Sequence, residues 1–130
     1  MDKREQLHFV TKSVRELADI KYQENSWASA KGPIGSFVET IQTLEDFSFG
    51  EFIRDLASHS ETRGLSEKLT LLDEKLDAYT GELIAEHGSL NSFAESIIVQ
   101  DERFVPIREL AKECLVRLNK LRSNLQSNSQ

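Results

Sequence analysis

One hundred and thirty residues, 38% hydrophobic and 29% charged, suit one domain with a single sizeable core and argue against a disordered chain. No apolar run approaches the roughly 18 residues that a membrane crossing needs. The start MDKREQ is charged from its second residue, which speaks against a signal peptide, and the lone Cys114 excludes an internal disulfide. The expectation is a soluble, cytoplasmic protein, with residues 1–125 as one all-α domain and residues 126–130 as a frayed polar tail.

The net charge of −6 is segregated. Residues 1–36 sum to +1, residues 37–102 to −11 with fifteen acidic and four basic side chains, and residues 103–130 to +4. An acidic middle between basic ends has two readings. The terminal helices lie over the acidic ones, or the acidic middle meets a basic partner.

In chain order, Leu7, Val10, Val14 and Leu17 recur at helical spacing and predict a first amphipathic helix over about 2–23. Residues 24–35 are small, polar and interrupted by Gly32-Pro33, which reads as a loop around the single tryptophan, Trp27. Two short helices follow, about 36–46 and 48–59. Each opens on one phrase, Ser36-Phe37-Val38-Glu39-Thr40-Ile41 and Ser48-Phe49-Gly50-Glu51-Phe52-Ile53. Serine with glutamate three residues on is a capping box, in which the hydroxyl and the carboxylate each take a free backbone N–H. Phe47 and Phe52 occupy the two places of a hydrophobic staple on the second of these helices.

Leu65, Leu69, Leu72, Leu76, Tyr79 and Leu83 step by four and three residues, a bundle seam over about 64–87 that Gly88 terminates. Leu71, Ala78 and Ala85 are read as widening that stripe. The phrase returns at Ser92-Phe93-Ala94-Glu95-Ser96-Ile97 and predicts a short helix over about 91–100. Val105-Pro106 opens the last helix, about 104–125, with Ile107, Leu110, Cys114, Leu118, Leu121 and Leu125 on its seam. The fold class is all-α, an irregular bundle of about five to six helices, three longer and three shorter. Unequal spacing of the three copies, starting at 36, 48 and 92, argues against a repeat array.

The chemical motifs are sparse. Glu5-Gln6-Leu7-His8 supplies one Glu-x-x-His, whereas a di-iron bundle needs two plus further inward glutamates, and His59 and His87 have Leu56 and Ile84 at the glutamate position. Gly32-Pro33-Ile34-Gly35-Ser36 lacks the lysine and the preceding strand of a phosphate loop, and Glu39 is read as already filling that helix start. Cys114 in register with Leu110 and Leu118 reads as a buried, inert thiol. No catalytic constellation, metal or cofactor is therefore expected.

The expected function is a non-enzymatic protein-binding module, a small acidic adaptor, chaperone or inhibitor that masks a basic partner surface. The candidate contact residues are Trp27 and Lys31 in the polar loop, and Glu45, Asp46, Asp73, Glu74 and Asp77 on the acidic faces. Trp27 has a second reading, as a plug at the end of the bundle. Two alternative functions stand beside this one. Arg108, Lys112, Arg117, Lys120 and Arg122 offer a basic stripe for nucleic acid or an anionic membrane, although the acidic body repels phosphate. The leucine-rich seams also suit a self-assembling dimer.

Overall fold

The computed structural model describes residues 2–28 and 36–128, with side chains through Leu125. Seven α-helices and two 3-10 turns make up these residues, and no strand occurs among them. The helices are α1 (Lys3–Ala18), α2 (Ile20–Ser26), α3 (Phe37–Asp46), α4 (Phe49–Ala57), α5 (Arg63–His87), α6 (Ser96–Gln100) and α7 (Val105–Asn128). Buried side chains from six of the helices, with Trp27 and Phe104 from the segments beside α2 and α7, form one hydrophobic cluster against which the partly buried Tyr22 of α2 packs.

The long seam of α5 is the spine. Leu65, Leu69, Leu72, Leu76, Tyr79 and Leu83 are all buried, as their spacing predicts. The proposed widening of that stripe is wrong. Leu71, Ala78 and Ala85 are exposed, because α4 and α7 cover α5 along the seam and leave that flank to water. Gly88 ends the helix at φ 92°, a left-handed conformation that suits glycine, and its N–H donates to the Ile84 carbonyl. α7 packs chiefly on α1 and α5 and buries Ile107, Leu110, Ala111, Cys114 and Leu118. It continues to Asn128, three residues beyond its predicted end.

The predicted first helix is two helices. At Asp19 the backbone leaves the helical region (φ −101°, ψ 101°), and the carboxylate accepts from Lys21 N at 3.0 Å and Tyr22 N at 3.1 Å. An aspartate that takes the first N–H groups of a new helix favours the break. Buried Gln23 closes the other side, its Nε2 donating to the Glu16 and Leu17 carbonyls at 2.8 Å each. Those carbonyls belong to the end of α1, where intrahelical partners run out.

Of the three capping phrases, only the first has its serine cap in place, without the returning glutamate bond of a full box among the described residues. Ser36 Oγ accepts from Glu39 N at 3.0 Å. Ser48 sits in the left-handed region (φ 55°) and makes no side-chain cap. Ser92 starts no helix. Its hydroxyl is spent on the turn after α5, against the His87 and Ser89 carbonyls, and α6 begins only at Ser96. Glu95 instead reaches back to α3, where Oε1 accepts from Phe37 N at 2.9 Å and Oε2 from Val38 N at 3.4 Å. The carboxylate at the α3 N-terminus is thus that of Glu95, 58 residues from Phe37, where the sequence assigns Glu39. Burial pushes the half-buried Glu95 carboxyl above its usual range, and the two N–H groups offset part of that.

The α3–α4 corner is tied to α1. Gln6 Nε2 donates to the Phe47 carbonyl at 2.8 Å, and Phe47 stacks on Phe9 with ring centroids 4.4 Å apart. Phe47 is thus also held by α1, a contact that the predicted staple with Phe52 does not include. Phe49, Phe52, Ile53 and Leu56 of α4 are buried as expected.

Two outcomes follow for stability. Phe52→Ala destabilises the protein by about 3–5 kcal/mol in denaturant unfolding, the usual figure for a buried phenylalanine. Glu95→Ala costs about 0.5–2 kcal/mol in the same measurement, as expected for loss of a helix cap, although residue 95 lies outside the helix it caps.

Candidate functional site

Trp27 is buried and plugs the bundle. Its ring lies edge-on to Phe37 at 5.3 Å and to Phe104 at 5.9 Å, with Tyr79 against Phe104 at 5.5 Å. It is therefore not an exposed anchor. Lys31 lies outside the described residues.

The charge segregation resolves into two regions of different character. At one, Arg103 gathers the carboxylates. Its guanidinium reaches Asp101 at 2.8 Å, Glu86 at 2.9 Å and Glu82 at 3.0 Å. Asp101 also accepts from the Tyr79 hydroxyl at 2.8 Å. Although desolvation opposes it, Arg103 and Tyr79 hold the Asp101 carboxyl below its usual value. Burial, with the bond to Asp101, pushes the Tyr79 phenol up. Here the first basic residue of the C-terminal segment lies over the acidic middle and is shared by three carboxylates.

The second region is a cleft of about 540 Å³ between the α3–α4 corner and α5. Leu44, Phe49 and Leu76 form its buried floor, and Ile41, Ile84 and Leu90 extend the apolar surface outward. Ile84 is 45% exposed, one of the few large aliphatic side chains so open to water. Glu45, Asp73 and Asp77 line the same cleft, with Thr80 and Ser48 as neutral polar groups. None of the three carboxylates has an ion pair among the described residues. Burial, then the neighbouring Asp77 and Glu74 carboxylates, push the Asp73 carboxyl above its ordinary value. The cleft thus couples apolar surface with three carboxylates that lack ion pairs among the described residues; the hollow beside Trp27 and Phe93 also holds two acids without ion pairs, Glu39 and Glu95, but there Glu95 is bonded to the Phe37 and Val38 N–H groups.

The structure brings together three of the acidic residues singled out from sequence and separates the other two. Glu74 is exposed on α5 beside the cleft, and Asp46 ends α3 while accepting from Gln42 Nε2 at 3.0 Å. Sequence reasoning missed the floor. Its one visible signal was Ile84, an aliphatic residue next to Leu83 and off the α5 seam.

The basic stripe on α7 is broken at its first member. Arg108 is buried, its Nε donating to Gln23 Oε1 at 3.0 Å and its guanidinium lying over the Phe104 ring at 5.4 Å. Lys112 pairs with Glu109 at 3.1 Å, and Arg122 lies 3.3 Å from His8 Nδ1. Burial pushes the Cys114 thiol up to about 11, the inert state expected of it. Among the described residues, no group of three or more His, Cys, Asp and Glu side chains is arranged to hold a metal ion, and no helix is long and apolar enough to cross a membrane. Comparison with protein-family models, curated proteins and solved structures finds no match to this chain.

The Asp73 shift carries a sign that can be measured. Its folded-state carboxyl titrates above the unfolded value, so the penalty on the charged form is fully present above the folded pKa and is relieved as pH falls through it. Asp73→Asn therefore raises the melting temperature at neutral pH. The gain shrinks in acid and is gone below the unfolded carboxylate value of about 3.9.

Proposed function

We propose that the protein is a binding module that presents the α3–α5 cleft to a basic surface of another protein, as an adaptor, chaperone or inhibitor. The observation that carries this reading is the absence of any ion pair on Glu45, Asp73 and Asp77 beside an apolar floor, among the described residues. Six acids are ion-paired among the described residues, three of them to Arg103, and what sets Glu45, Asp73 and Asp77 apart is their convergence on one apolar floor. A carboxylate kept at a cost to the fold, as Asp73 is, fits a residue retained for what it meets outside the fold.

Acidic rims steer basic partners and impose salt dependence, while the desolvated apolar centre supplies most of the affinity. The two alternatives have less behind them. Arg108 is withdrawn from the basic stripe, which weakens a nucleic-acid or membrane reading through α7. The seams expected to drive self-assembly are covered within one chain from Leu65 to Leu83 and from Ile107 to Leu118, leaving Leu125 exposed at the α7 end.

Affinity capture from cells with the wild-type chain and with an Asp73→Lys/Asp77→Lys variant tests the reading. The wild type retains basic proteins at about 0.05 M salt and releases them toward 0.5 M, where the Debye length falls to a few ångströms. The variant loses those same proteins while keeping its helical content. Identical capture by both chains overturns the proposal.

A further inference from the structure

We propose that the occupant of this cleft is a basic amphipathic α-helix of about three turns, an inference that rests on the protein-binding reading above. The length comes from α5. Its cleft-lining residues run from Asp73 through Leu76, Asp77 and Thr80 to Ile84, twelve positions whose eleven steps span about 16 Å of helix axis. A partner helix laid along that stripe meets it with about eleven residues of its own.

The backbone of the walls decides against an extended peptide. A strand binds by giving its N–H and C=O groups to a free sheet edge, and the cleft is walled by helices and offers no such edge, its free backbone groups being confined to the first turn of α4. At the corner itself, Phe47 and Ser48 N–H return to the Thr43 and Glu45 carbonyls at 3.1 Å each. An extended segment entering here leaves its own polar backbone unsatisfied over an apolar floor. A helix enters with its backbone already paired, so only side chains meet the floor.

Charge complementarity fixes the chemistry of that helix. Apolar residues at three- and four-residue steps face Phe49, Leu76 and Ile84, and lysine or arginine on the flanks meets Asp73, Asp77 and Glu45. The uncapped N-terminus of α4 also lies in the cleft wall at Phe49 and Gly50. Its partial positive charge places the basic residues toward α5.

Synthetic peptides of about 14 residues, four helical turns, supply the test. One carries leucine at i, i+3, i+4, i+7 and i+11 with lysine elsewhere. A second has the same composition scrambled to remove the period, and a third replaces leucine-flanking lysines with glutamate. Binding is read by fluorescence anisotropy and backbone amide shifts of the wild type and of Ile84→Asp. The amphipathic basic peptide is expected to bind at least tenfold more tightly than the scramble, to gain helical circular dichroism on binding, and to shift the Gly50, Thr80 and Ile84 amides. Ile84→Asp removes a floor contact while adding negative charge. It weakens an apolar-anchored helix by tenfold or more and strengthens a merely electrostatic complex. Equal binding of the helical and scrambled peptides, or tighter binding by Ile84→Asp, overturns the helical occupant and leaves the acidic-cleft reading standing. If neither basic peptide shifts the cleft amides at low salt, or the glutamate peptide binds equally well, the cleft reading itself falls.

Discussion

Four aromatic rings meet where α2, α3, α5 and the turn before α7 converge. Trp27, Phe37, Tyr79 and Phe104 come from four separate parts of the chain and pack mostly edge to face, with centroids 5.3 to 6.4 Å apart. Edge-to-face pairs add to the burial of large rings and fix orientation as well as distance. The polar groups beside the cluster are bound to keep this geometry. Glu95 holds the start of α3 that carries Phe37, Asp101 holds the Tyr79 hydroxyl, and Arg108 spreads over Phe104 while bonding Gln23. With α3 and α5 so fixed, the α3–α4 corner stands off α5 at the distance that leaves the cleft open.

Much of this was legible in the residues, and the reasons differ from element to element. The α5 seam was read in full because a run of six large side chains at alternating steps has one geometric solution. The break at Asp19 was missed because apolar residues flank it, Leu17 and Ala18 before and Ile20 after, with no glycine or proline to mark it. The signal was present in Asp19 itself, a capping residue at the head of Ile20–Ser26. The repeated Ser-Phe-x-Glu phrase shows the reverse error. The same local letters cap a helix at Ser36, turn a left-handed corner at Ser48 and close a loop at Ser92, where the carbonyls left by the end of α5 take the hydroxyl that the phrase alone assigns to a cap.

The cleft was half legible for a related reason. Charge is visible residue by residue, so Glu45, Asp73 and Asp77 could be singled out, but nothing in sequence separates them from Asp46 and Glu74. Their separation depends on which carboxylates face the α3–α4 corner across α5. Some of the ion pairs that draw other acids away are as remote, since Arg103 lies 17 and 21 positions from Glu86 and Glu82.

The packing of α1 against α7 has a kinetic consequence. These two helices stand at opposite ends of the described chain and form its most extensive helix–helix interface. Closing a loop of that size precedes most of the reward from burial, and such distant contacts slow folding relative to a bundle of sequential hairpins. During synthesis, α1 through α6 emerge with the α5 seam still uncovered on its α7 side. Until α7 follows, Leu65, Leu69 and Leu72 remain available to any apolar surface nearby. The nascent chain therefore passes through a stage in which its spine is its most adhesive part, and release of the last helix is the event that ends it.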